Sequence, residues 1–177
     1  APDGRSFIAA ASPGLGERRG IYKIDAQSGQ RSLVVSPKLD DALAGPINFT
    51  SPVLSPDSKT LYYVQVSNPP GATEFALVKR DLASATETEL LRRPALGEVN
   101  LSPDGRYIAA ASRDPSTKSN TFLIIPTAGG EPTEVIRRTP PEQPAMFVWG
   151  TDSRSLLIQM LVGNPNPLLR SGGGKAE

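Results

Sequence analysis

Ser102-Pro103-Asp104-Gly105-Arg106-Tyr107-Ile108-Ala109-Ala110-Ala111-Ser112 decides the fold, because the chain contains it more than once. Ala1-Pro2-Asp3-Gly4-Arg5-Ser6-Phe7-Ile8-Ala9-Ala10-Ala11-Ser12 is nearly the same run. Ser55-Pro56-Asp57-Ser58-Lys59-Thr60-Leu61-Tyr62-Tyr63-Val64 is a looser copy, and Gly150-Thr151-Asp152-Ser153-Arg154-Ser155-Leu156-Leu157-Ile158 a degraded one. The four aspartates are spaced by 54, 47 and 48 residues. Periods of this length belong to propeller blades or to paired-helix arrays.

The local pattern chooses strands. Each aspartate turn is followed by a short apolar run: Phe7–Ala11, Leu61–Val66, Tyr107–Ala111 and Leu156–Val162. A second run follows a loop (Ile21–Ile24, Phe75–Val78, Phe122–Ile125), and a third follows a short turn (Ser32–Val35, Thr88–Leu91, Thr133–Ile136). Ile47–Leu54, Leu96–Leu101 and Ala145–Trp149 precede the aspartates and complete the unit. β-branched and aromatic residues between turn formers read as strands. No segment carries a sustained 3.6-residue apolar period with caps, which disfavours helices. Glycine (16) and proline (18) together reach about a fifth of the 177 residues, as a chain of many tight turns requires.

The predicted fold is therefore all-β: propeller blades of four antiparallel strands. Blade 1 takes residues 1–38 and lacks its first strand; blade 2 takes 46–93, blade 3 takes 94–138, and the start of blade 4 takes 143–177. This gives thirteen strands, about three and a quarter blades, unless Leu168–Arg170 or the tail adds to the last. Closed propellers use four to eight blades. The expectation is a piece of a six- to eight-bladed parent whose end blades expose apolar faces, with self-association through those faces as the alternative.

Within the repeated turn, proline presets φ at the first central position and glycine accepts positive φ. The carboxylate takes backbone N–H groups. A residue needed once per blade is architectural, so Asp3, Gly4, Pro56, Asp57, Pro103, Asp104, Gly105 and Asp152 are read as structural turn residues. Arg92-Arg93 and Arg137-Arg138 fall on the outermost strand, where charge discourages edge pairing.

The turn and its strand resemble the WD40-like repeat of TolB-type propellers, whose hallmark is Ser-Pro-Asp-Gly-Lys/Arg before an apolar strand. The resemblance is good at 102–112, good at 3–12 apart from Ala1 for Ser, fair at 55–66 and weak at 151–158. It implies the fold and favours a bacterial protein on the extracytoplasmic side. Such repeats occur in the periplasmic TolB protein, in propellers capping prolyl-oligopeptidase-type enzymes and in sensor regions of bacterial protein kinases. No catalytic motif of those families has a match here.

The chemistry available is narrow. With neither histidine nor cysteine, the chain has no Ser–His or Cys–His nucleophile and no ordinary zinc site. A net charge of +1 argues against a nucleic-acid partner. No apolar run approaches the length of a membrane helix, so no membrane insertion is expected. No cofactor or metal is expected. Gly172-Gly173-Gly174-Lys175 fails as a phosphate loop, since Leu169 and Ala176 occupy positions that need Gly and Ser/Thr. Asp40-Asp41 reads as a solvated pair, and the acceptor patterns at Asn48 and Asn100 fall on inner strands. Met146, Phe147 and Trp149 read as blade packing rather than a ligand platform.

What is left is a surface. The loops Ser12–Gly20, Ser67–Thr73 and Arg113–Asn120 join strands two and three on one side of every blade. Loops on a rigid scaffold are where binding resides. Arg18, Arg19, Asn68, Arg113 and Lys118 are the candidate binding-loop residues. The reading is a non-catalytic propeller module for a protein or peptide partner, a sensor or interaction region of a larger polypeptide. The alternative is a segment of an enzyme: a peptidase of the prolyl-oligopeptidase type, a kinase with a propeller sensor, or a carboxylate-using lyase or hydrolase.

Overall fold

The computed structural model describes residues 1, 3–12, 14, 19–36, 47–139, 142–161, 168–172 and 175–176. Among them are fifteen strands and no helix: β1 (Ser6–Ala11), β2 (Gly20–Asp25), β3 (Arg31–Val35), β4 (Asn48–Leu54), β5 (Thr60–Ser67), β6 (Glu74–Asp81), β7 (Glu87–Arg93), β8 (Leu96–Leu101), β9 (Tyr107–Arg113), β10 (Asn120–Pro126), β11 (Thr133–Arg138), β12 (Gln143–Trp149), β13 (Ser155–Leu161), β14 (Leu168–Gly172) and β15 (Lys175–Ala176). They form four antiparallel meanders: β1-β2-β3, β4-β5-β6-β7, β8-β9-β10-β11 and β12-β13-β14-β15. These are blades 1 to 4. The contacts divide the chain into two units, Ala1–Arg93 and Pro94–Glu177.

One strand count needs correction. The last repeat was expected to stop after two strands, giving thirteen in all. It has four, because β14 pairs with β13 (Leu157 opposite Arg170) and turns back at Gly172 and Lys175 into β15. Leu168–Gly172 is short and ends in glycines, and its partner has two residues, so neither carries a period that could be read alone.

In blades 2 and 3 the second and third strands are the most deeply buried. Leu61, Tyr62, Tyr63 and Val64 in β5 are buried, as are Ile108, Ala109 and Ala110 in β9. Complete burial of a large apolar side chain such as Tyr63, Phe122 or Ile158 contributes roughly 1.5–3 kcal/mol. The outer strand is bent in the same place in blades 1, 2 and 3, where the register shifts at Ile21/Tyr22, Leu77/Val78 and Phe122/Leu123. Bulges of this kind turn an outer strand away from edge-to-edge pairing.

The two faces of a blade have distinct roles. The residues four and six places after each turn aspartate lie on one face, here called even; those five and seven places after it lie on the other, called odd. In the first unit, Ile8, Ala10, Ile21 and Val35 on the odd face of blade 1 pack against Phe49, Leu61, Tyr63, Ala76 and Val78 on the even face of blade 2. In the second, Ala109, Ala111, Phe122 and Ile136 on the odd face of blade 3 pack against Phe147, Leu156, Ile158 and Met160 on the even face of blade 4. The Phe122 and Phe147 rings meet edge to face at 5.0 Å. Within each unit the rule is the same: odd face on following even face.

Candidate interaction surface

Two ends of each sheet must be distinguished. At one end lie the repeated aspartate turns; at the other lie the loops joining strands two and three. The turn end is built for rigidity. Gly105 N–H closes a turn on Ser102 O at 2.8 Å, and Ser58 N–H does so on Ser55 O at 2.8 Å. Pro103 and Pro56 take the first central position of these turns. The residue after the aspartate has positive φ in all four copies: Gly4, Ser58, Gly105 and Ser153.

The carboxylates serve their own turns. Asp104 accepts from Ser102 Oγ at 2.6 Å and from Arg106 N–H at 3.1 Å, and Asp57 accepts from Ser55 Oγ and Lys59 N–H in the same way. Asp3 accepts from Arg5 N–H, Ser6 N–H and Ser6 Oγ; Asp152 accepts from Arg154 N–H, Ser155 N–H and Ser155 Oγ. These donors favour the ionised form. The Ser102 hydroxyl first, then Arg106 N–H, holds Asp104 below the usual carboxylate range; for Asp3 the Arg5 N–H contributes most. The turn on strand three is tied to the same place by Leu82 N–H to Lys59 O and Thr127 N–H to Arg106 O. An open concavity of about 510 Å³ near the first turn is lined by Asp3, Arg5, Lys23, Asp25 and Arg31 among others. Both of its carboxylates serve turns, Asp25 through Gln27 and Ser28.

The loop end carries the candidate binding residues. Arg18 lies outside the described residues, as do Asp40 and Asp41; Arg19 is exposed. Asn68 is exposed and accepts a hydrogen bond from Thr73 Oγ1 at 3.0 Å, which spans its Pro-Pro-Gly loop. The blade 3 loop closes into a tight turn. Asp114 Oδ1 accepts from Ser116 N–H (2.8 Å), Ser116 Oγ (2.6 Å) and Thr117 N–H (3.2 Å). Lys118 N–H closes on Asp114 O at 2.9 Å, with Lys118 itself at φ 62°. The same six-residue turn joins strands three and four in blades 1 and 2, starting from Asp25 and Asp81. The legible signal was an aspartate followed two or three residues later by serine. Ser116 and Thr117 donors hold the Asp114 carboxyl down at about 2.

That turn presents Arg113 and Lys118. Arg113 stands opposite Asn120, which stands opposite Arg138, so one three-strand row carries two arginines at this end. Arg138 pairs with Glu142 at 3.0 Å and Arg137 with Glu134 at 2.6 Å. Arg92 in blade 2 is bracketed by Glu89 and Glu74. Among the described residues Arg113 and Lys118 have no such partner, and both are exposed. Arg92 and Arg137 are satisfied by neighbours on their own sheets, and Arg138 by Glu142 just ahead of β12.

Other motifs resolve into packing. Trp149 Nε1–H donates to Asn100 O at 2.9 Å, and Asn100 Nδ2–H donates to Phe147 O at 3.1 Å, stitching blade 3 to blade 4. Phe147 is buried, whereas Met146 points to the opposite face and is 62% exposed. Tyr63 O–H donates to Glu87 at 2.9 Å, and Arg80 pairs with the same carboxylate. Burial first, and then Glu87, raises the Tyr63 phenol above its ordinary range.

No protein-family model matches the chain, and no curated protein does. Solved structures do. A protein assigned to TolB from Agrobacterium tumefaciens is 17% identical, with a TM-score of 0.69 over 100% of this chain and 61% of its own. The β-propeller domain of the Trilobed protease from Pyrococcus furiosus is 14% identical, with a TM-score of 0.63 over 97% of this chain and 52% of its own. One of two prolyl endopeptidases is 18% identical, with a TM-score of 0.65 over 97% of this chain and 28% of its own. At these identities the likeness is one of fold: the chain is built of β-propeller blades of the TolB-like kind. It spans between about a quarter and three fifths of these structures.

Proposed function

We propose that this TolB-like propeller module is non-catalytic and binds a protein or peptide partner at the loop end of its blades, as an interaction or sensor region. The observation that carries the reading is the blade 3 turn, in which Asp114 and its serine and threonine donors fix a platform bearing two exposed cations, Arg113 and Lys118, that have no carboxylate partner among the described residues. A fixed loop loses less conformational entropy on binding than a mobile one. The cations select an acidic segment of the partner. Propellers in the matched structures belong both to a TolB and to peptidases, so the same module serves different polypeptides.

The test is a peptide library presented to the 177-residue chain, followed by titration of the best binders. Acidic peptides should dominate, and the double variant Arg113→Glu/Lys118→Glu should weaken them by tenfold or more, with the wild-type affinity falling as salt rises. Selection without regard to charge, or equal binding by the double variant, overturns the proposal. A second reading, that the module is the propeller part of a peptidase, is favoured by the prolyl endopeptidase and Trilobed protease likenesses. It requires an α/β-hydrolase region with Gly-x-Ser-x-Gly in the same polypeptide.

A further inference from the structure

The repeat supplies its own control for what a blade requires, and the turn end of blade 1 departs from it. Asp3, Arg5, Lys23, Asp25 and Arg31 line the open concavity there. Register fixes their equivalents in blade 2. Ser6 stands opposite Asp25 as Thr60 stands opposite Asp81, and Ile8 opposite Lys23 as Tyr62 opposite Lys79. Ile24 stands opposite Arg31 as Arg80 does opposite Glu87. Blade 2 therefore keeps Lys79 and Asp81 but has Glu87 at the place of Arg31, and that carboxylate is taken by Tyr63 and Arg80. Blade 3 has Pro126 and Ile124 at the places of Asp25 and Lys23. The architecture does not need the charges that blade 1 gathers.

Three groups around the concavity are unspent. Asp3 uses both carboxylate oxygens: Oδ1 accepts Arg5 N–H and Ser6 N–H, while Oδ2 accepts Ser6 Oγ and lies 3.8 Å from Lys23 Nζ. Asp25 takes Gln27 N–H, Ser28 N–H and Ser28 Oγ on Oδ1 alone, so its Oδ2 has no donor among the described residues. The exposed Arg5 and Arg31 guanidiniums have no carboxylate partner among the described residues. One open carboxylate oxygen and two open guanidiniums match a ligand with one ammonium and two carboxylates. The ammonium belongs on Asp25 Oδ2, and each guanidinium offers a planar fork of N–H donors to one carboxylate.

We propose that the turn end of blade 1 binds an acidic α-amino acid of the aspartate or glutamate class. The lining cations outnumber the lining carboxylates by one, Arg5, Lys23 and Arg31 against Asp3 and Asp25, and such a ligand carries one net negative charge at neutral pH. The volume of about 510 Å³ falls in the ~300–1,000 Å³ range of small-molecule sites. Gly29 N–H closes the turn on Asp25 O at 3.0 Å, which holds the acceptor in place before the ligand arrives. The charged groups are open to water and screened, so the Kd belongs at roughly 0.1–1 mM. The site lies within blade 1 and uses neither Arg113 nor Lys118.

Isothermal titration calorimetry of the 177-residue chain with L-glutamate, glycine and glutarate tests it. L-Glutamate should bind saturably. Glycine lacks the second carboxylate and glutarate lacks the ammonium, so each should bind about tenfold more weakly or worse. Arg31→Glu, the exchange that blade 2 already carries at this place, should weaken L-glutamate by about tenfold or more. Asp25→Asn keeps an acceptor oxygen for its turn but puts N–H donors where the ammonium would sit, so it should weaken L-glutamate by a similar factor without weakening glutarate. Far-UV circular dichroism checks that the strands persist; if Arg31→Glu loses them, Arg31→Gln replaces it. The proposal is overturned if L-glutamate shows no saturable binding in the millimolar range, or if either variant binds it as the wild type does. Glutarate binding as tightly as L-glutamate overturns it as well, because Asp25 then takes no part. Arg113→Glu/Lys118→Glu should bind L-glutamate unchanged, which separates this site from the peptide surface.

Discussion

Blades 2 and 3 and blades 1 and 4 make the same turn with a serine on opposite sides of the aspartate. In blades 2 and 3 the serine comes two residues before it, as Ser55 and Ser102; in blades 1 and 4 it comes three residues after it, as Ser6 and Ser155. Either serine donates its hydroxyl to the carboxylate. What recurs is therefore a set of donors around an anion, and the residue that supplies the hydroxyl can change place. The two versions are not equal in what else they do. Ser102 Oγ also accepts Tyr107 N–H at 3.0 Å, and Ser55 Oγ accepts Thr60 N–H at 2.9 Å. Ser6 and Ser155 instead send their own N–H groups to the carboxylate.

The largest effect should come from forcing one version onto the other. A Cβ at Gly150 would lie 2.2 Å from Ser155 Oγ and 2.9 Å from Asp152 Oδ1, so a side chain there requires the Ser155 hydroxyl to move. Gly150→Ser places two hydroxyls at one carboxylate and should destabilise the chain by the ~1–3 kcal/mol that overpacking costs. Adding Ser155→Thr, which copies the Ser55 and Thr60 pair of blade 2, should recover much of that loss in denaturant unfolding. If the double variant is no better than the single one, the two turns are not interchangeable and the comparison fails.

Next in size is the difference between the serines. Ser102→Ala removes a donor to Asp104 and leaves the Tyr107 N–H without its acceptor, and an orphaned donor of this sort costs about 1–3 kcal/mol. Ser6→Ala removes only the hydroxyl, while Ser6 N–H and Arg5 N–H still reach Asp3. Its cost should be nearer the ~0.5–1.5 kcal/mol of one ordinary hydrogen bond. Equal losses in the two variants would show that the acceptor role of Ser102 contributes nothing.

This comparison also marks what the sequence could and could not convey. The blades were legible because Asp3, Asp57, Asp104 and Asp152 keep their spacing and each precedes an apolar run, and both signals are local. The substitution of Ala1 and Gly150 for serine looked like decay of the motif. It is compensation, visible only once Ser6 and Ser155 are seen to turn their hydroxyls inward. The pair β14 and β15 was lost because very short strands carry no period. The tightness of the Asp114 turn is not legible in the sequence, because its polarity is spent on internal hydrogen bonds, which composition does not reveal. Among the loop-end candidates, Arg113 and Lys118 come to one tight turn and Asn68 spans a loop of its own. The exposure of Phe7 and Met146 could not be read from residues that are apolar like their buried counterparts.

The smallest effect is that of pH, and it falls on both versions of the turn together. Asp3 and Asp104 have folded pKa values below the ordinary one, and Asp114 lies at about 2. In the unfolded chain such carboxyls titrate near pH ~3.9. A depressed folded value means that the unfolded chain binds protons first as pH falls, so the stabilisation is complete above about pH 4 and is lost toward the folded pKa. For Asp114 that window runs from about 4 to about 2. The unfolding midpoint should be level from neutral pH down to about 5 and decline below about 4. These carboxylates are exposed, which keeps each contribution small. Asp3→Asn and Asp104→Asn keep an acceptor oxygen but cannot titrate, so each should flatten the acid decline by a similar share. If Asp104→Asn flattens it and Asp3→Asn does not, the serine placed after the aspartate is the weaker way to hold the charge, and the two turns differ in strength as well as in layout.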